Sequence, residues 1–79
     1  LTETENNISI YAFDNTVYVN YQLKAPGNVV VYDMIGKEII SENLNPGQLN
    51  KLTVNHGKGY YIVKVFSEEA VKTEKVFIN

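Results

Sequence analysis

The sequence contains no cysteine, which excludes disulfides, thiolate chemistry and cysteine-ligated zinc. It has one histidine, His56, so a histidine metal cluster is excluded as well. No apolar run approaches the roughly 18 residues that a membrane-spanning helix needs. Positive charge is also short: the formal net charge is −2. That leaves no electrostatic footprint for nucleic acid and no basic patch for an anionic membrane. Nor is there helical periodicity, since no window of a dozen residues repeats apolar positions at three-four spacing.

What is present suits a small β domain. With 79 residues the chain holds one domain, which buries roughly 60% of the surface its unfolded form exposes. The hydrophobic fraction of 44% is enough to fold, and 20% charged residues are too few for a disordered tail. Tyr and β-branched residues dominate, and both favour strands. Thr16 to Leu23 alternates cleanly: Val17, Val19, Tyr21 and Leu23 take one face, and Tyr18, Asn20 and Gln22 take the other. Val29-Val30-Val31-Tyr32 is apolar on both faces and predicts a central strand. Tyr60 to Phe66 is nearly continuous too, broken only by Lys64, and is expected near the middle.

The turn signals are specific. Asp14-Asn15 predicts a two-residue hairpin in which both residues tolerate positive φ. Ala25-Pro26-Gly27-Asn28 and Asn45-Pro46-Gly47-Gln48 have the Pro-Gly order of a type II turn. Asp33-Met34-Ile35-Gly36 fits a type I turn with Gly absorbing positive φ. The strands predicted are 8–13, 16–23, 28–33, 37–43, 50–55, 60–67 and 70–78. Turn signals every 8 to 12 residues are those of a sandwich or barrel. In the last strand Val71 and Val76 are out of phase, which predicts a bulge or a partly open edge. The fold class expected is an all-β antiparallel sandwich of about seven strands.

Residues 1–7 are polar and acidic and read as a linker from an upstream domain, with the folded domain at 8–79. The chain does not open on Met and has no signal-peptide pattern, so it is expected to be a piece of something longer.

Catalysis requires convergent polar groups, and these are scarce. His56 lies in the Asn55–Gly59 turn and reads as a solvated loop residue. Asp14 and Asp33 serve turns, and Glu68-Glu69 caps a hairpin tip. Gly57-Lys58-Gly59 and Gly36-Lys37 lack the spacing and the following helix of a phosphate loop. Asn7-Ile8-Ser9 matches the glycosylation acceptor pattern, one that arises often by chance. Neither enzymatic activity nor a cofactor is expected. Six tyrosines remain, at 11, 18, 21, 32, 60 and 61. Strand tyrosines usually pack at a core margin; an outward row would instead form a platform for sugar or protein.

Three segments together resemble a known family. Val29-Val-Val-Tyr32-Asp33-Met-Ile-Gly36-Lys37-Glu-Ile-Ile40 resembles its middle hairpin. Gly59-Tyr-Tyr61-Ile-Val63-Lys64-Val65 resembles its G-x-Y strand. Lys75-Val76-Phe77-Ile78-Asn79 resembles its short terminal strand. The family is the C-terminal sorting domain of cargo for the type IX secretion system of Bacteroidetes. The first strand departs from it: Tyr11-Ala12-Phe13-Asp14-Asn15 stands where many members have a Tyr-Pro-Asn-Pro-like opening.

The resemblance implies an immunoglobulin-like seven-strand sandwich. It also implies an address. The partners would be the type IX machinery, a surface sortase-like protease that cuts upstream, and a covalently continuous cargo domain. The location would be the periplasm in transit, then the outer-membrane surface or the medium. The motif residues are the recognition candidates: Tyr32, Asp33, Gly36, Lys37, Gly59, Tyr61, Val63, Lys64, Lys75, Val76, Phe77, Ile78 and Asn79. For Asp33, Gly36, Gly59 and Tyr61 a structural role is the competing reading. An open terminal edge in so small a domain also invites strand exchange or dimerisation. The alternative function is an immunoglobulin-like accessory module that binds carbohydrate or a partner protein.

Overall fold

The computed structural model describes residues 7–79; most of the expected 1–7 linker thus lies outside the described residues. Seven strands follow one another: β1 (Ile8–Phe13), β2 (Thr16–Tyr21), β3 (Gly27–Tyr32), β4 (Glu38–Leu44), β5 (Gln48–Thr53), β6 (Gly59–Ser67) and β7 (Val71–Ile78). They form two sheets, β1-β2-β5 and β4-β3-β6-β7, in which every neighbour is antiparallel. The protein is an all-β sandwich, as the turn spacing predicts. β3 and β6 are the central strands of the larger sheet.

Alternation explains which residues meet between the sheets. Val17, Val19 and Tyr21 of β2 face Val29 and Val31 of β3 and Tyr61, Val63 and Val65 of β6, all buried in one cluster. Completing a Val burial of this kind is worth about 1.5–3 kcal/mol. Strand order in the immunoglobulin constant-type sandwich puts the fourth strand with the first, second and fifth. Here β4 stays beside β3 instead. The reason is local: the Asp33–Lys37 connection is too short to let β4 leave its neighbour. Its Gly36 sits at φ 91°. The Gly36 N–H donates to the Asp33 carbonyl at 3.0 Å, and the Asp33 N–H to Lys37 at 2.9 Å. The Asp33 carboxylate accepts from the N–H groups of Ile35 and Lys37 at 3.1 and 2.9 Å.

The chain crosses between sheets three times, from β2 to β3, β4 to β5 and β5 to β6. Each crossing is fastened by a side chain that returns to the main chain. The Tyr21 hydroxyl donates to the Ala25 carbonyl at 2.7 Å. Asn50 accepts from the Asn45 N–H at 2.8 Å and donates to the carbonyls of Asn45 and Gln48 at 3.1 Å each. The Tyr61 hydroxyl shares its proton between the carbonyls of Gly57, at 2.6 Å, and His56, at 2.9 Å. A tyrosine early in the sixth strand, bonded back to the preceding corner, is a hallmark of immunoglobulin-like sandwiches.

Asn50 is 9% exposed and occupies an inward position of β5. Replacing it by Ala strips three hydrogen bonds from a part-buried corner. Asn50→Ala is expected to cost about 1–3 kcal/mol, and a thermal melt should fall by about 4–8 °C per kcal/mol in a domain this size. An unchanged melting temperature would show that water replaces the clamp at no cost.

The two-residue hairpin expected at Asp14-Asn15 is present, with Phe13 opposite Thr16 and Asp14 at positive φ (59°). Other expectations need correction. Gly47 has the φ of 73° that its turn demands. Gly27 does not: it opens β3 in extended conformation, and it is glycine because Tyr21 packs onto its Cα side. No bulge breaks β7, whose register with β6 is continuous from Val71 to Ile78. The register shift lies between Val31 and Tyr32, against β4. Val71 and Val76 fall out of phase for another reason. Val76 and Ile78 point into the core, whereas Glu74 is exposed and Lys72 half-buried, so the same face of β7 carries charge at its start. The partly open edge is present, since β7 ends the larger sheet. Strand ends also move by a few residues: β2 stops at Tyr21 and β5 spans Gln48–Thr53.

Candidate interaction surfaces

Among the described residues no pocket forms and no three His, Asp or Glu side chains converge to hold a metal ion. Binding chemistry has to be sought on the sheet faces and edges. Strand alternation divides the thirteen sequence candidates into three groups.

One group is internal. Tyr61, Val63, Val76 and Ile78 are buried in the core cluster, so a partner cannot touch them without unfolding the domain. A second group serves turns and ends. Asp33, Gly36 and Lys37 build the β3–β4 connection, whose tip exposes Met34 and Ile35. Gly59 has a φ of 148°, outside the usual range of residues with a side chain. The Asn79 N–H donates to the Asp14 carbonyl at 2.9 Å and ties the chain end to the β1–β2 turn.

The third group shares one face. Tyr32, Lys64, Lys75 and Phe77 occupy outward positions of β3, β6 and β7. The registers put Tyr32 opposite Ile62, Ile62 opposite Lys75, Val30 opposite Lys64, and Tyr60 opposite Phe77. The two rings of that last pair meet edge to face at 5.1 Å, with 68° between their planes. The Lys75 ammonium stands 4.9 Å from the Tyr60 ring centroid, and that of Lys64 stands 5.5 Å from the Phe66 ring. Both distances are within cation–π range. Tyr60 and Phe77 remain 53% and 44% exposed. The result is an aromatic face studded with ammonium groups. Tyr60, Ile62 and Phe66 are part of it though absent from the sequence-derived candidates. Their signal was the alternation itself: with Tyr61 inward, Tyr60 and Ile62 must face out.

A second aromatic cluster lies on the outer face of the three-stranded sheet. Tyr11 and Tyr18 are cross-strand partners, and their rings stack at 5.2 Å with 12° between planes. Lys51 follows Tyr18 in the same row, its ammonium 6.0 Å from that ring. Tyr18 thus has a neighbour on each side. Phe13 stands next to this row and is 73% exposed.

The fold and surface define a small immunoglobulin-like sandwich whose polar chemistry is spread over two sheet faces rather than gathered in a cleft. Comparison with known proteins adds a family. The chain belongs to the family described as Domain of unknown function (DUF8694), whose model matches residues 1–78. No curated protein and no solved structure matches the chain.

Proposed function

We propose that this chain is a C-terminal sorting domain. It directs an attached upstream cargo across the outer membrane through type IX secretion machinery, after which a surface sortase-like protease removes it. One observation carries the reading. The three motif segments that resemble the sorting family lie apart in sequence, yet each contributes to one exposed face: Tyr32 from the first, Lys64 from the second, Lys75 and Phe77 from the third. A receptor that reads shape and charge needs such a surface and no pocket.

The test is fusion of residues 1–79 to an inert periplasmic reporter in a type IX-competent bacterium. Surface delivery is the expected result. Deleting Lys75–Asn79 is a poor probe, because Val76 and Ile78 are core residues. Lys75→Glu combined with Phe77→Ser changes only exposed positions. It is expected to lower delivery about tenfold or more, as loss of an interface anchor does, with little change in the melting curve. Periplasmic retention of a stable, folded parent fusion would sink the proposal.

An accessory module that binds carbohydrate or a partner protein is the second reading, supported by Tyr11, Phe13 and Tyr18 on the opposite sheet. A sugar platform presents open, flat ring faces. Tyr11 and Tyr18 turn a face towards each other, and Lys51 stands on the other side of Tyr18. This geometry favours a protein partner over a sugar for that face.

A further inference from the structure

We propose that the outer edge of β7 pairs with the same edge of a second copy of this chain, antiparallel and centred on Thr73. The inference goes beyond the sorting reading and does not depend on it.

The hydrogen-bonding phase of β7 follows from its hairpin. The Ser67 N–H donates to the Ala70 carbonyl at 2.8 Å, so that pair is of the hydrogen-bonded kind. Antiparallel pairs alternate, and the β6–β7 register runs without a break. Lys72, Glu74 and Val76 therefore turn their main-chain groups towards β6. Val71, Thr73 and Lys75 turn theirs to the open side, where no strand pairs among the described residues. Of the usual defences of an edge, β7 has no proline and no bulge and relies on charge alone, through Lys72, Glu74 and Lys75. Val71, Thr73, Glu74 and Lys75 are exposed and Lys72 is half-buried.

Charge then selects the register. A two-fold pairing centred on Lys72 sets that ammonium against its own copy. Centring on Glu74 or on Lys75 does the same for those charges. Only the pairing centred on Thr73 puts Lys72 opposite the second copy's Glu74, and by symmetry does so twice. Centres farther along run into the hairpin tip or into the Asn79–Asp14 tie. In this register Thr73 faces Thr73 and Val71 faces Lys75, each with main-chain groups aimed at its partner. The Lys–Glu pairs fall at the non-hydrogen-bonded positions, where side chains come closest. Opposite charges and Thr–Thr pairs are favourable across strands, and the contact is self-complementary as a two-fold dimer requires.

Such an interface is well under the ~1,000 Å² of a stable complex, so the dimer is transient, with a dissociation constant on the order of 100 μM. Sedimentation equilibrium of the 79-residue chain, loaded up to about 1 mM, should detect it. Lys72→Glu or Glu74→Lys alone sets like charges opposite each other twice and should weaken association about tenfold. The double variant K72E/E74K recreates the pairs in reverse and should restore association to within about threefold. Thr73→Pro removes a central edge N–H while leaving the β6 ladder intact, and should abolish the dimer. Circular dichroism melts confirm that each variant is folded. A monomer throughout this range would overturn the proposal. Charge reversal without rescue would also overturn it, as would a dimer that survives Thr73→Pro, which would point to the Tyr60–Phe77 face instead.

Discussion

Tyr61→Ala is expected to unfold most of the domain at room temperature. The side chain is 5% exposed and part of the core cluster. It also fastens the β5–β6 crossing through the carbonyls of His56 and Gly57. Truncating a buried aromatic costs about 3–5 kcal/mol. At roughly 0.05–0.15 kcal/mol per residue, a chain of this length has about 4–12 kcal/mol in all, and a small domain sits towards the low end. Tyr61→Phe separates the two contributions. It keeps the ring and loses the hydroxyl bond, for a cost of about 1–1.5 kcal/mol. Urea denaturation of the three proteins checks both figures. An alanine variant whose midpoint stays near the parent's would show that the corner does not hold the sheets together. The experiment also bears on recognition, because Tyr61 belongs to the family-like motif. A loss of export in Tyr61→Ala would follow from unfolding and would say nothing of a receptor.

Gly27→Ala should be nearly as damaging. A Cβ at this position would lie 2.5 Å from the Tyr21 hydroxyl oxygen, 2.8 Å from its ring carbon Cζ and 2.9 Å from the Phe66 carbonyl oxygen. Tyr21 cannot swing aside, because it is fully buried and its hydroxyl is held by Ala25. The Phe66 carbonyl belongs to the β6 backbone and has little freedom either. Overpacking of this kind costs about 1–3 kcal/mol, and losing the Tyr21–Ala25 bond would add about 1 kcal/mol. A thermal melt of Gly27→Ala beside Gly47→Ala is the sharper comparison. Gly47 has nothing within 4 Å of a Cβ and suffers only from its positive φ. Equal losses at the two sites would refute the packing explanation for Gly27.

Gly27 also marks the limit of what local sequence reveals. The hairpins were legible because their chemistry is contained within a few residues. Asp33, Gly36 and Asp14 behave as their turns require. The alternation of β2 and the doubly apolar β3 identified the inner face and the central strand for the same reason. Gly27 carried a strong local signal as well, Pro-Gly, but its reason for being glycine is a tyrosine six positions away in the chain that folds over it. Asn50 gave no signal at all. A polar residue in an inward strand position is readable only once the corner it clamps is known. The phase break in β7 is compatible with a bulge or an open edge, and only the open edge is present; periodicity cannot separate the two because it presumes a core along the whole strand. The recognition candidates divide along the same line. The motif segments mix residues such as Val63 and Val76, which hold the core, with Lys64 and Lys75, which face outward.

The uneven packing of β7 has a kinetic meaning. A strand whose inward side chains are charged at one end and apolar at the other is held unevenly along its length. At the Val71–Glu74 end the inward side chains Lys72 and Glu74 lose little by entering water, and the two-residue turn closed by the Ser67–Ala70 hydrogen bond is what keeps this end beside β6. At the other end Val76 and Ile78 are seated in the core, and behind them Asn79 is moored to Asp14. Hydrogen exchange is therefore expected to be faster at the amides of Lys72 and Glu74 than at those of Val76 and Ile78.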